Sequence, residues 1–136
     1  MNIRCSYKVT KWEEVPYDEI SANSRLTKAS VEYQCTGEME GSAAVEYLLF
    51  YRHFDAKDQH NASAVYVGLI RFQGKIKDKE GSFVLIDNGA FQGGAAISAL
   101  QIAAGSGTGS LQGISGTGRY RADSHGYSME LECEIG

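Results

Sequence analysis

The chain has 136 residues, 43% of them hydrophobic and 22% charged, with a formal net charge of −4. A chain of that length reads as one domain, residues 1–136, able to bury a core without a disulfide or metal staple. The acidic balance argues against a nucleic-acid or anionic-membrane partner, and no apolar run is long enough to span a bilayer. The opening MNIRCSYKVTKWEE carries no apolar signal-peptide stretch, so a cytoplasmic protein is expected.

Short segments alternate apolar and polar residues between clusters of Gly, Asp, Asn and Ser, which is the pattern of an all-β protein. In the first segment Ile3, Cys5, Tyr7 and Val9 share one phase, and Arg4, Ser6, Lys8 and Thr10 the other. Trp12–Arg25 reads as a long connection, with a helical turn at Pro16 and Asp18-Glu19 and a turn in Ser21–Ser24. Leu26–Thr36 turns Val31, Tyr33 and Cys35 inward. Further strands are predicted at Ser42–Phe54, Ala64–Lys75, Ser82–Asn88, Ala95–Ala103 and Leu111–Ala122. The last strand sets Tyr127, Met129, Leu131, Cys133 and Ile135 against Ser128, Glu130, Glu132 and Glu134. Turns are read at Gly37–Gly41, Asp55–Asn61, Lys77–Gly81, Asn88-Gly89, Gly93-Gly94, the glycine run Ala104–Gly118 and Asp123–Gly126. Connections this short imply antiparallel neighbours.

The expected fold class is therefore all-β, a single eight-stranded antiparallel β-barrel, because closure removes the exposed edges of an open sheet. Basic outward residues on the first strand (Arg4, Lys8) and acidic ones on the last (Glu130, Glu132, Glu134) suit pairing of the two ends. Val45–Tyr51 and Phe83–Ile86 are apolar on both faces, so something must cover their outer side. The cover is either Trp12–Arg25 or a second copy of the chain, and a homo-oligomer, dimer or higher, is expected.

The glycine run has neither the dinucleotide fingerprint nor a following G-K-[ST], and it leads into a strand, so it reads as a turn with glycine bends at a sheet corner. Cys5, Cys35 and Cys133 sit in phase with apolar neighbours and read as buried small hydrophobes. His53, His60 and His125 are scattered, without ligand spacing; no metal and no other cofactor is expected. Tyr7, Tyr33 and Tyr127 share the inward phase, and Tyr47 and Tyr66 on central strands can join them around a ligand cavity. Glu40, Glu46, Arg71 and Asn88 are polar residues embedded among apolar ones and complete the set of cavity candidates. Glu13, Glu14, Asp18 and Glu19 read as a solvated loop.

Thr36–Gly41 (TGEMEG), Ala44–Tyr51 (AVEYLLFY), Tyr66–Ile76 (YVGLIRFQGKI), Glu80–Phe91 (EGSFVLIDNGAF) and Gly105–Tyr120 (GSGTGSLQGISGTGRY) together resemble a bacterial family, domain of unknown function 3224, grouped with the allene oxide cyclase-like barrels. The resemblance implies an eight-stranded antiparallel barrel. Gly107, Gly109, Leu111 and Gly113 are also similar to a glycine stretch of plant allene oxide cyclases and dirigent proteins, which hold apolar lipid or phenolic intermediates. The chain departs from the family's usual text at Glu38, where aspartate is commoner, near Asn88, where histidine is common, and near Ile70, where an acid is common. No catalytic residue carries over.

Three functions suit these features. The first is binding of a small apolar or aromatic metabolite inside the barrel. The second is a packed structural or oligomerisation module. The third is a cyclase or isomerase acting on a lipophilic intermediate.

Overall fold

The structure is a computed structural model that describes residues 1–55, 57–58 and 61–136; Ala56, Gln59 and His60 lie outside the described residues. The strands are β1 (Asn2–Ser21), β2 (Ser24–Gly37), β3 (Met39–His53), β4 (Ser63–Ile76), β5 (Lys79–Gln92), β6 (Ala95–Ile102), β7 (Ser115–Asp123) and β8 (Gly126–Glu134). Each pairs antiparallel with the next, and β1 pairs β8, so one sheet closes in a ring in sequence order. Closure runs through Asn2–Ser6 against Ser128–Glu132 and brings Arg4 Nε to 3.5 Å from Glu130 Oε2. Lys8 lies beyond that pairing and faces β2 instead.

Period-two alternation drives the architecture: every second side chain points into the ring, and the inward set forms a single buried cluster. Aliphatic and phenyl groups fill one end. Val31, Val45, Ile70 and Leu85 lie in one row across β2–β5, and Phe72 packs on Phe83 with ring centroids 5.3 Å apart. The glycine run folds against this end. It is a loop with one 3₁₀ turn, Gly109–Leu111, and strand structure starts only at Ser115, not at Leu111. Leu111 and Ile114 are buried in the core, while Thr108 and Ser106 fasten the loop to Ser82 and Val84 of β5.

Two predicted irregular segments are strand. Trp12–Ser21 continues β1, paired with β2 to the turn at Ala22 and Asn23. Pro16 fits because it lies on an edge, where a missing N–H breaks no ladder. Beyond Ser6 that edge has no strand partner among the described residues, and three register shifts, Pro16 and two lysines blunt it. Asn88-Gly89 is likewise no turn, since β5 runs on to Gln92. The extended β1 pairs β2 and leaves the outer face of β3–β6 uncovered. Leu48, Val67, Leu69 and Ile97 there are 50%, 51%, 58% and 52% exposed.

Candidate functional site

The other end of the interior is built from tyrosines around one acid. Register places Tyr47, Gly68 and Asp87 in one row across β3–β5, and Tyr66, Gly89, Ser98 and Tyr120 in the next row across β4–β7. The two glycines make room for rings. A Cβ on Gly68 would lie 2.6 Å from a Tyr47 ring carbon, and one on Gly89 2.5 Å from the Tyr66 hydroxyl. No side chain fits there without displacing a tyrosine.

Into that space converge five polar groups. The Tyr47 hydroxyl lies 2.7 Å from Asp87 Oδ2 and 3.0 Å from the Tyr120 hydroxyl. Tyr120 donates to Tyr66 at 2.9 Å, and Tyr66 lies 2.8 Å from Ser98 Oγ. Asp87 is 0% exposed, and its Oδ1 has no hydrogen-bond partner. Burial pushes the Asp87 carboxyl above the usual carboxylate range, against the opposing pull of the Tyr47, Ser98 and Tyr120 hydroxyls. Burial also raises Tyr47 and Tyr120 far above the ordinary phenol value, so both stay protonated.

Above these rows the end of the ring is half-buried. The next inward row reads Tyr51, Ala64, Phe91, Ala96, Ala122 and Tyr127, three rings separated by three short side chains. Tyr7 adds a ring 5.4 Å from Tyr127 and 4.8 Å from Tyr33. A second acid stands nearby on β1. Glu14 is half-buried, not solvated: it accepts from Thr27 at 2.7 Å, Tyr51 at 2.8 Å and Trp12 Nε1 at 3.1 Å. Both oxygens of Glu14 have donors; Oδ1 of Asp87 has none.

The chain matches the family model described as protein of unknown function (DUF3224) over residues 3–133. It belongs to the DUF3224 family. A solved structure of a protein of unknown function from that family, from Shewanella oneidensis MR-1, is similar to it at 20% identity and a TM-score of 0.74, covering 100% of this chain and 98% of that one. At that identity the likeness shows the fold alone. No curated protein matches the chain.

In this DUF3224 chain the residues singled out from sequence divide cleanly. Tyr7, Tyr33, Tyr47 and Tyr66 face the interior, and Tyr127 stands at its rim, 41% exposed. Glu40, Glu46, Arg71 and Asn88 do not line it: all four point outward and are exposed. Glu46 accepts from Ser30 Oγ at 2.6 Å, and Glu40 stands opposite Lys75. Arg71 borders a hollow of about 250 Å³ with Glu32, Gln73 and Tyr33, and a larger hollow of about 660 Å³ lies among Arg4, Arg119, Arg121 and Glu130 and is also lined by Cys5, Tyr120 and Met129. Neither hollow is lined by Asp87, Tyr47 or Tyr66.

Sequence reading passed over Asp87, Ser98 and Tyr120 and took Glu14 as solvated. The signal for Asp87 is its phase: it follows Phe83 and Leu85 by twos, so if they face inward it must too. Ser98 shares phase with Leu100 and Ile102 in the same way. The three cysteines are buried, and burial raises the Cys133 thiol. Among the described residues no group of three His, Cys, Asp or Glu side chains is placed to hold a metal.

Proposed function

We propose that this protein binds a small apolar or aromatic molecule at the tyrosine-lined end of the ring. The observation that carries the reading is Asp87, wholly buried with one carboxyl oxygen unpartnered. An unsatisfied buried polar atom costs about 1–3 kcal/mol, and a leucine at the same position would cost nothing of the kind. Folding has no use for such a group, whereas a ligand-binding end with an apolar wall and a few converging polar atoms does. The alanines and half-buried rings of the row above supply the wall. A cyclase or isomerase acting on the same class of molecule would draw its acid from Asp87, because Glu40 and Glu46 face outward. Kinship with the allene oxide cyclase-like barrels and a cytoplasmic location suit this reading; buried, unbridged cysteines are at home in a reducing compartment.

Native mass spectrometry of freshly purified protein tests it. A small apolar adduct, lost on denaturation, is expected. A bare mass that stays bare after incubation with 2-naphthol overturns the reading.

The outer face of β3–β6 supports a second and compatible reading, a dimer of this chain. Leu48 stands opposite Val67, Leu69 opposite Ile86, Phe50 opposite Val65, and Ala90 opposite Ile97, a largely apolar sheet surface interrupted by Asn88 beside Val67 and bordered by Glu46 beside Leu69. Glu46 and Arg71 border this face, and a stable interface takes about 800 Å² per partner. The same apolar outer face on a second copy can cover it. The native mass should be that of a dimer, and Leu69→Lys should return it to the monomer; a wild-type monomer at tens of micromolar overturns this reading.

A further inference from the structure

We propose that the hollow among Arg4, Arg119 and Arg121 binds the phosphate group of a small phosphomonoester. It lies apart from the tyrosine-lined end and does not depend on it.

Two rows of outward residues build the hollow. Arg119, Glu130 and Arg4 stand side by side across β7, β8 and β1. Arg121, Ser128, Ser6 and Thr36 form the next row, which reaches β2. Paired strands lie about 4.8 Å apart, and same-face residues follow at about 7 Å along a strand, so these groups crowd one small area. Closure of the ring assembles it, because β1 and β7 flank β8 only once the two ends of the chain have paired.

Charge is out of balance there. Arg4 Nε and Arg119 Nη2 lie 3.5 Å and 3.7 Å from one and the same oxygen, Glu130 Oε2. Both distances are long for a hydrogen bond, so the two guanidinium forks stay open. Glu130 Oε1 meanwhile accepts from Asn2 at 3.1 Å. Arg121 is held through Nε, 2.8 Å from Asp123 Oδ2. Three cations therefore face two carboxylates, on a chain whose net charge is −4. Donors are in excess as well. A guanidinium carries five N–H donors and accepts nothing. The side-chain hydroxyls of Ser6, Thr36 and Ser128 are exposed and have no protein partner among the described residues.

Water serves these donors in the free protein, and an oxyanion serves them better. A phosphomonoester brings about two negative charges at pH 7 and three strong acceptor oxygens. Guanidinium forks match that geometry two bonds at a time. A carboxylate brings one charge and two oxygens. The hollow, at about 660 Å³, has the size of a small-molecule site, about 300–1,000 Å³, so the phosphate arrives with an organic body.

Amide NMR titrations of the full chain with phenyl phosphate, inorganic phosphate and benzoate test this. Expected for phenyl phosphate is saturable binding with Kd below about 1 mM, with shifts centred on Ser6, Thr36, Arg119, Arg121 and Ser128. Inorganic phosphate should bind more weakly, and benzoate at least about tenfold more weakly. Arg119→Gln should weaken phenyl phosphate at least about tenfold, the weight of one charge-assisted hydrogen bond. Glu130→Gln, which removes the competing carboxylate, should tighten it about two- to fivefold. Lys75→Gln makes the same change of charge on β4 and should leave the affinity as it is. No saturation, shifts centred on Tyr47 and Tyr66, or equal losses in Arg119→Gln and Lys75→Gln overturn the site. Equal affinity for benzoate overturns the phosphate, and equal affinity for inorganic phosphate overturns the ester.

Discussion

Ile70 and Asp87 are both 0% exposed on neighbouring strands of one ring, and they sit in opposite environments. Around Ile70 the interior is Val45, Leu85, Phe72 and Phe83, groups with no polar atom to satisfy, and the glycine-rich loop closes over that end with Leu111 and Ile114. Around Asp87 it is hydroxyl on hydroxyl, with rings beyond that thin out into a half-buried rim. Burial stabilises the first end in proportion to area removed from water. At the second the same burial carries a cost, because a carboxyl loses its water and regains only part of its hydrogen bonding. One end therefore holds the ring together, and the other uses the rigidity that results.

That division can be broken at measurable points. The largest effect belongs to the apolar end. Phe72→Ala removes a wholly buried ring packed at a tilt on Phe83 and should destabilise the protein by about 3–5 kcal/mol in urea unfolding. A loss below about 1 kcal/mol would mean this end is not the foundation described.

Next comes Gly89→Ala. Its methyl group collides with the Tyr66 hydroxyl and Ser98, so it should cost about 1–3 kcal/mol as overpacking and abolish 2-naphthol binding together with the ordered tyrosine signals in near-ultraviolet circular dichroism. An unchanged spectrum would show that the hydroxyl chain does not depend on that vacancy.

The smallest effect is a slope. Asp87 titrates near pH 3.9 when unfolded, and burial raises its folded value above that. Between the two values the folded protein holds the proton and the unfolded chain has released it. Stability from this group is therefore greatest below about pH 4 and falls as pH rises toward the folded value, by about 1.4 kcal/mol for each tenfold difference in proton affinity. Subtracting the profile of Asp87→Asn isolates the slope from surface acids such as Glu130 and Asp123, whose pairing lowers their values and gives the opposite sign. Parallel profiles for the two proteins would show that Asp87 titrates alike in the folded and unfolded states and is not raised by burial.

Much of the ring was legible in the chain, for a reason visible in particular residues. Tyr127, Met129, Leu131 and Cys133 alternate with Ser128, Glu130 and Glu132 because a strand offers two faces, only one of which is dry. Where both faces are apolar, as in Val45–Tyr51, alternation carries no phase. Glu46 was for that reason assignable inward, although its outward neighbour Leu48 is 50% exposed. The outer end of β1 misled for the converse reason. Trp12–Ser21 has exposed residues on both faces, so it carries no core signal, and its strand structure comes from pairing with β2. Gly89 looked like a turn because local preference is all a sequence displays, while its use here is to leave space for the ring of Tyr66, its partner on the neighbouring strand.

Composition and period alone thus determined an all-β chain, its strand order and most of the inward set, because burial of every second residue is a local rule. Only the closed ring decided which polar groups meet. Asp87, Tyr47, Tyr66, Ser98 and Tyr120 come from five different strands and share no motif, and what gathers them is the register across β3–β7 and the two glycines that make room for the rings. Register is a property of the whole sheet, fixed by all its pairings at once, and no single segment contains it.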